Sequence, residues 1–174
     1  FSKSRGWYVS LREFLDNFPA DYLRYYLASI TPYSQADVNF DWKEFQAKIN
    51  NELVANIGNF IHRTLTFIWN NFDGKVPKAG KKDKDYLELE RTIKEIPNKV
   101  GKKIEKNELD KALKDIIDFS ASCNRYFQKK EPWKTKDESA LFLCASAVRT
   151  LAIVLNPYIP FSTENLWKQL SLKG

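Results

Sequence analysis

Three groups of residues in this chain carry side chains that could do chemistry. On a segment with helical periodicity, Asn59 and Arg63 stand four residues apart, so their side chains lie one turn apart and can reach the same object. They belong to a polar row of Glu52, Asn56, Asn59, Arg63, Thr66 and Asn70, whose plainer explanation is a solvated helix face. Asparagine is a poor helix former, yet Asn50, Asn51, Asn56, Asn59, Asn70 and Asn71 crowd this one segment, where Glu, Lys or Gln would serve solubility better. Trp133 is the second group. It follows Pro132 among Lys129, Lys130, Glu131 and Lys134, and suits either a half-buried cap over a helix end or a stacking platform for an unpaired base, with lysines to attract phosphate. Third, Ser2-Lys3-Ser4 places one ammonium between two hydroxyls, a grouping suited to a polyphosphate, or else simply a basic N-terminal stretch.

The elements that must position these residues are helices. Ser10 can cap a short helix through Asn17, Pro19 opens a second that ends before Thr31-Pro32, and Asp37–Phe40 alternates like a small strand. Trp42, Phe45, Ile49, Leu53, Ile57, Ile61, Leu65, Ile68 and Phe72 then step by three or four residues and predict one long helix with a continuous apolar stripe, stopped at Asp73-Gly74. Residues 75–106 shift to lysine and glycine. With Pro97 and Gly101 inside, they are expected to form a solvent-facing hairpin or insertion around a short helix near Tyr86–Ile96. Leu109 to Phe127 and Leu141 to Leu155 mark two further core helices, and Leu166, Trp167 and Leu170 a short terminal one. The fold class is mainly α: an antiparallel helical bundle over 41–174, preceded by a small α/β lead-in over 1–40.

Composition narrows the function classes. A chain of 174 residues with 43% hydrophobic and 29% charged residues can bury an ordinary core. Its 28 Lys+Arg against 22 Asp+Glu, net +6, favours a polyanionic partner. His62 is the only histidine, which argues against a zinc site, and it reads better as a surface or packing residue than as a base reader. Cys123 and Cys144 form no motif, so a reducing cytoplasm is expected. No apolar run approaches the roughly 20 residues that cross a bilayer, and no membrane partner is expected. Nor is there a Gly-rich strand-to-helix turn or length enough for a doubly wound sheet, so Lys3 has no nucleotide domain to act in within this chain.

A resemblance sharpens these readings. Ser2-Lys3-Ser4-Arg5-Gly6-Trp7-Tyr8-Val9 and Phe18-Pro19-Ala20-Asp21-Tyr22-Leu23-Arg24-Tyr25-Tyr26-Leu27 resemble the Lys-Met-Ser-Lys-Ser loop of class I aminoacyl-tRNA synthetases and the segment immediately downstream of it, those of the methionyl enzymes in particular. Phe1 stands where that family usually has Met, and the chain is expected to be a fragment cut within the loop. Gly58-Asn59-Phe60-Ile61-His62-Arg63 resembles the family's anticodon-reading helix, and Asn124-Arg125-Tyr126-Phe127 through Glu131-Pro132-Trp133 its second recognition segment. Leu155-Asn156-Pro157-Tyr158-Ile159-Pro160-Phe161 and Leu166-Trp167 also match, leaving only about 75–106 without a clear counterpart.

The implications of the resemblance are specific. Asn59, Arg63 and Trp133 would grip the first base of a CAU anticodon. Cytosine O2 and N3 both accept, and an arginine fork or an asparagine amide can donate to both, whereas uracil carries an N3–H. Asn124, near the inward face of its helix, is open between RNA contact and a buried hydrogen-bonded role. Residues 1–40 would be the signature-loop remnant and stem-contact segment, and residues 41–174 the anticodon-binding domain. The intact enzyme would use ATP and Mg2+ to join methionine to tRNA(Met), with Lys3 on the ATP phosphates. The fragment alone would bind no cofactor, would lack aminoacylation activity, and would have as partners the anticodon loop and its missing catalytic domain. The alternatives are another class I synthetase (leucyl, valyl or cysteinyl) or a helical protein-interaction scaffold, which would show a wide exposed apolar stripe.

Overall fold

In the computed structural model residues 9–32 and 39–171 are described. Ser10, in extended conformation, accepts the Glu13 N–H at 3.4 Å and starts α1 (Leu11–Asn17); after Pro19 the chain enters α2 (Ala20–Ile30). Asp41 accepts the Glu44 N–H at 2.8 Å and starts α3 (Trp42–Ala47). This helix runs without a break through a π-helical stretch, Lys48–Gly58, into α4 (Asn59–Phe72). Phe14, Phe18, Tyr26, Phe40, Trp42 and Phe45 interleave with ring centroids 4.8 to 6.1 Å apart, which clamps α1 and α2 onto the start of the long helix. No strand occurs among the described residues. The one expected over Asp37–Phe40 lies partly outside them, and Asn39 and Phe40 have no regular structure.

The bundle is completed by α5 (Lys84–Glu105), α6 (Leu109–Lys130), the single turn α7 (Pro132–Thr135), α8 (Glu138–Leu155) and α9 (Pro160–Gln169). The solvent-facing hairpin expected over 75–106 is overturned from Lys84 onwards. α5 continues through Pro97 and Gly101 and makes its largest packing surface with α6. Tyr86, Leu89, Ile96 and Val100 are buried, with Ile93 and Ile104 half-buried beside them. An internal proline costs a helix about 3 kcal/mol. Burying Leu89, Ile96 and Val100 returns about 1.5–3 kcal/mol each, so the helix survives its proline.

α8 is the central helix, packed by α4, α5, α6 and α9. Its 18 residues have a mean hydropathy of 1.7, the composition of a bilayer span, but 72% of the segment is buried inside the bundle, which accounts for it. Cys123 and Cys144 are free and buried, and burial pushes both thiols well up. The lead-in is tied to the far end of the chain by Asp21. This buried carboxylate accepts the Ser162 N–H at 2.7 Å and the Phe161 N–H at 3.4 Å, so it caps the N-terminus of α9. Arg24 Nη2 donates to the Pro157 carbonyl at 2.8 Å beside it. Not every apolar residue sits on a core face, contrary to the expectation from periodicity. Trp69, Phe161, Leu11 and Trp42 are half or more exposed.

Candidate nucleic-acid interface

The π stretch decides which way α4 faces. A π turn holds more residues than an α turn, so the apolar stripe drifts in phase across Lys48–Gly58. Below Gly58 the buried positions are Phe45, Ile49 and Ile57; above it they are Phe60, Thr64 and Ile68, while Ile61 and Leu65 are only half-buried. Gly58 sits at the junction. A Cβ there would stand 3.2 Å from the Leu53 carbonyl oxygen, which the wide turn brings beneath it. α4 therefore begins at Asn59 with the Asn59–Arg63 edge turned outward, toward the end of α6.

Arg63 does not hang free on that edge. Its guanidinium lies 4.8 Å from the centroid of Phe127 and 5.5 Å from that of Trp133, and Nη2 donates to Gln128 Oε1 at 3.3 Å. The two rings are 5.7 Å apart and inclined at 36°. Trp133 reaches this position because α6 ends in a left-handed residue, Glu131 (φ 44°), followed by Pro132 at the first position of α7. The indole remains 38% exposed. A cation lying over two neighbouring aromatic rings is attracted to both, by about 0.5–2 kcal/mol per contact depending on desolvation. The result is a rigid wall with guanidinium donors at its edge and one indole open to solvent. Asn59, exposed one turn before Arg63, makes no side-chain hydrogen bond among the described residues.

Asn56 and Glu52 of the polar row, and Asn124, are engaged inside the bundle. Asn124 Nδ2 donates to the Asn56 carbonyl at 2.9 Å, to Asn56 Oδ1 at 3.0 Å and to the Ser120 carbonyl at 3.2 Å. Asn56 Nδ2 in turn donates to the Ile117 carbonyl at 3.1 Å, and Glu52 accepts from Tyr25 Oη and Lys48 Nζ. These contacts fasten α6 and α2 to the π stretch. The geometry favours the structural alternative for Asn124. The lysines around Trp133 are also paired: Lys129 with Asp85 at 2.7 Å, Lys130 with Asp83, and Lys134 with Glu131 at 2.9 Å. Gln128 was missed from sequence, since nothing in its type or spacing distinguishes it from other exposed helix residues. Phe127 was assigned to the core and does lie there, but its ring also supports Arg63. Lys3 lies outside the described residues.

The same arrangement of helices occurs in known proteins. Residues 86–174 match the family of the anticodon-binding domain of tRNA ligases, and residues 1–65 that of the class I tRNA synthetases (M). Over 97% of its length the chain is 43% identical to the methionine–tRNA ligase of Methanopyrus kandleri, and over 92% it is 47% identical to that of Nanoarchaeum equitans. The chain belongs to the methionyl-tRNA synthetase family. It spans 25% and 21% of those two relatives, that is, about a quarter of their length or less. The fold is shared with Mycobacterium tuberculosis methionyl-tRNA synthetase bound by methionyl-adenylate, with a TM-score of 0.93 at 24% identity over 99% of this chain and 36% of that one. Among the alternatives, the leucyl, valyl and cysteinyl enzymes give way to the methionyl family. The stretch outside both family matches is 66–85, shorter than the 75–106 expected and centred on the end of α4 rather than on α5.

Proposed function

We propose that this chain is the part of a methionyl-tRNA synthetase that reads the first base of the CAU anticodon of tRNA(Met). The observation that carries the reading is the cluster of Arg63 over the adjacent Phe127 and Trp133 rings, with Asn59 one turn away. The open indole offers a stacking face to an unpaired base, and the guanidinium and carboxamide offer donors to the cytosine O2 and N3 edge. Pre-stacking removes the rotamer freedom that a free arginine would lose on binding.

The whole protein would join methionine to its tRNA in an ATP-dependent reaction, with Lys3 near the ATP phosphates. In the intact enzyme Mg2+ would accompany the ATP. This chain's own share is binding and orientation of the tRNA in the cytoplasm. The lead-in, where Leu11 and Leu15 stand exposed, with Trp42 at the start of α3 beside it, is the face to which the catalytic domain would pack.

Trp133→Ala tests the stacking role. Affinity for a CAU anticodon stem-loop should fall by about 1–3 kcal/mol while the circular dichroism spectrum is retained. Unchanged affinity would remove the indole from the site.

A further inference from the structure

A second exposed tryptophan lies on the same helix, away from the Arg63 stack. Trp69 is 73% exposed, six residues and therefore about 9 Å of helix rise beyond Arg63. The backbone nonetheless passes close to its ring. α4 ends at Asp73 and Gly74, both left-handed (φ 51° and 71°), and the chain turns back against the indole. A Cβ on Gly74 would come within 2.9 Å of Trp69 Cε3, so the turn needs glycine for its φ and for the ring beside it.

The segment that leaves this turn, 75–83, has no regular structure but is anchored at intervals. Gly80 donates its N–H to Ser139 Oγ at 2.7 Å, an approach a Cβ would crowd at 3.1 Å, and Asp83 caps α5 through the Tyr86 N–H at 2.9 Å. Asp83 also pairs with Lys130 at the end of α6. The strap therefore crosses the end of the bundle that carries Trp133, because α7 lies between the end of α6 and the start of α8. Lys75, Lys78 and Lys81 are exposed along it and form no ion pair among the described residues, unlike Lys129, Lys130 and Lys134 beside Trp133.

We infer that Trp69 and the strap lysines Lys75, Lys78 and Lys81 form a second contact area for single-stranded RNA. The indole stacks on an unpaired base other than the one at Trp133, and the ammonium groups hold the adjoining phosphates. An exposed aromatic beside unpaired cations is the arrangement that binds single strands without reading their sequence. The inference rests on the anticodon-loop reading and extends it. The first site discriminates the base, and the second supplies affinity and register.

The test uses the full chain and a CAU anticodon stem-loop, titrated at several salt concentrations. Trp69→Ala should weaken binding by about five-fold or more, with Trp69→Phe retaining most of the affinity. The triple variant Lys75→Gln, Lys78→Gln, Lys81→Gln should lower the slope of log K against log salt by about two, at about 0.7 per phosphate lost. Neither set should alter the ratio of affinities for CAU and UAU loops. If Trp133→Ala weakens binding while the Trp69 and lysine variants keep wild-type affinity and slope, this inference is overturned and the anticodon reading stands. If wild-type protein itself does not bind the stem-loop, both fall.

Discussion

At the scale of single residues, the division of labour turns on which side chains already have partners. Asn56, Asn59 and Asn124 are chemically alike, yet only Asn59 keeps its amide for a ligand. Asn124 joins α6 to a carbonyl and a carboxamide of the π stretch. Asn124→Ala should therefore act on stability, lowering it by about 1–3 kcal/mol as buried acceptors lose their donor, measured by urea or thermal melting. RNA affinity of the folded fraction should be unchanged. A variant of wild-type stability that binds RNA weakly would instead make Asn124 a reader. At Arg63 the candidate pair is legible in the sequence but its surroundings are not. The Asn59–Arg63 spacing is visible in any helical projection, whereas the Phe127 and Trp133 rings reach Arg63 only through a turn at Glu131 and packing between segments distant in the chain.

At the scale of elements, two helices depart from what local sequence suggests. α5 carries a proline and a glycine in its interior, and as local signals these outweigh its apolar spacing. Leu89, Ile93, Ile96, Val100 and Ile104 step by three and four residues and were the signal for a core helix. The π stretch was not expected, because the apolar spacing there reads as one continuous α-helix. The α5–α6 pair is also held by an ion-pair cluster in which Asp115 meets Lys103 Nζ at 2.6 Å and Lys99 Nζ at 3.0 Å. Burial pushes the Asp115 carboxyl up, but hydrogen bonds from Lys103 and Lys99 more than offset it and hold it below the usual aspartate range. A carboxyl lowered on folding stabilises the native state above its unfolded pKa of about 3.9, and that stabilisation is lost as pH falls through the lower folded value. Asp115→Asn should flatten this acid limb in melts recorded below about pH 4. An acid limb of unchanged steepness would assign the sensitivity to other carboxylates.

At the scale of the whole molecule, the bundle order, the cap at Ser10 and the core helix α8 all follow from periodicity and capping residues. The cross-links that make one body of the lead-in and the bundle do not. Asp21 and the α9 N-terminus are 140 residues apart in sequence and meet only after folding. The assembled molecule gathers the end of α6, α7, the start of α8 and the 75–83 strap at one end, with the lead-in and its exposed Leu11 on another part of the surface. On the proposed function, RNA and the catalytic domain would therefore meet different parts of the surface. The most direct measurement of the central claim is a titration of the chain with stem-loops that differ only in the first anticodon base, cytosine or uracil, repeated with Arg63→Ala. Wild-type protein should favour the CAU loop by about 1–3 kcal/mol, by analogy with direct base readout, and Arg63→Ala should remove most of that difference. Equal affinity of wild-type protein for both loops, or an undiminished preference in Arg63→Ala, would contradict base reading by the Arg63 stack.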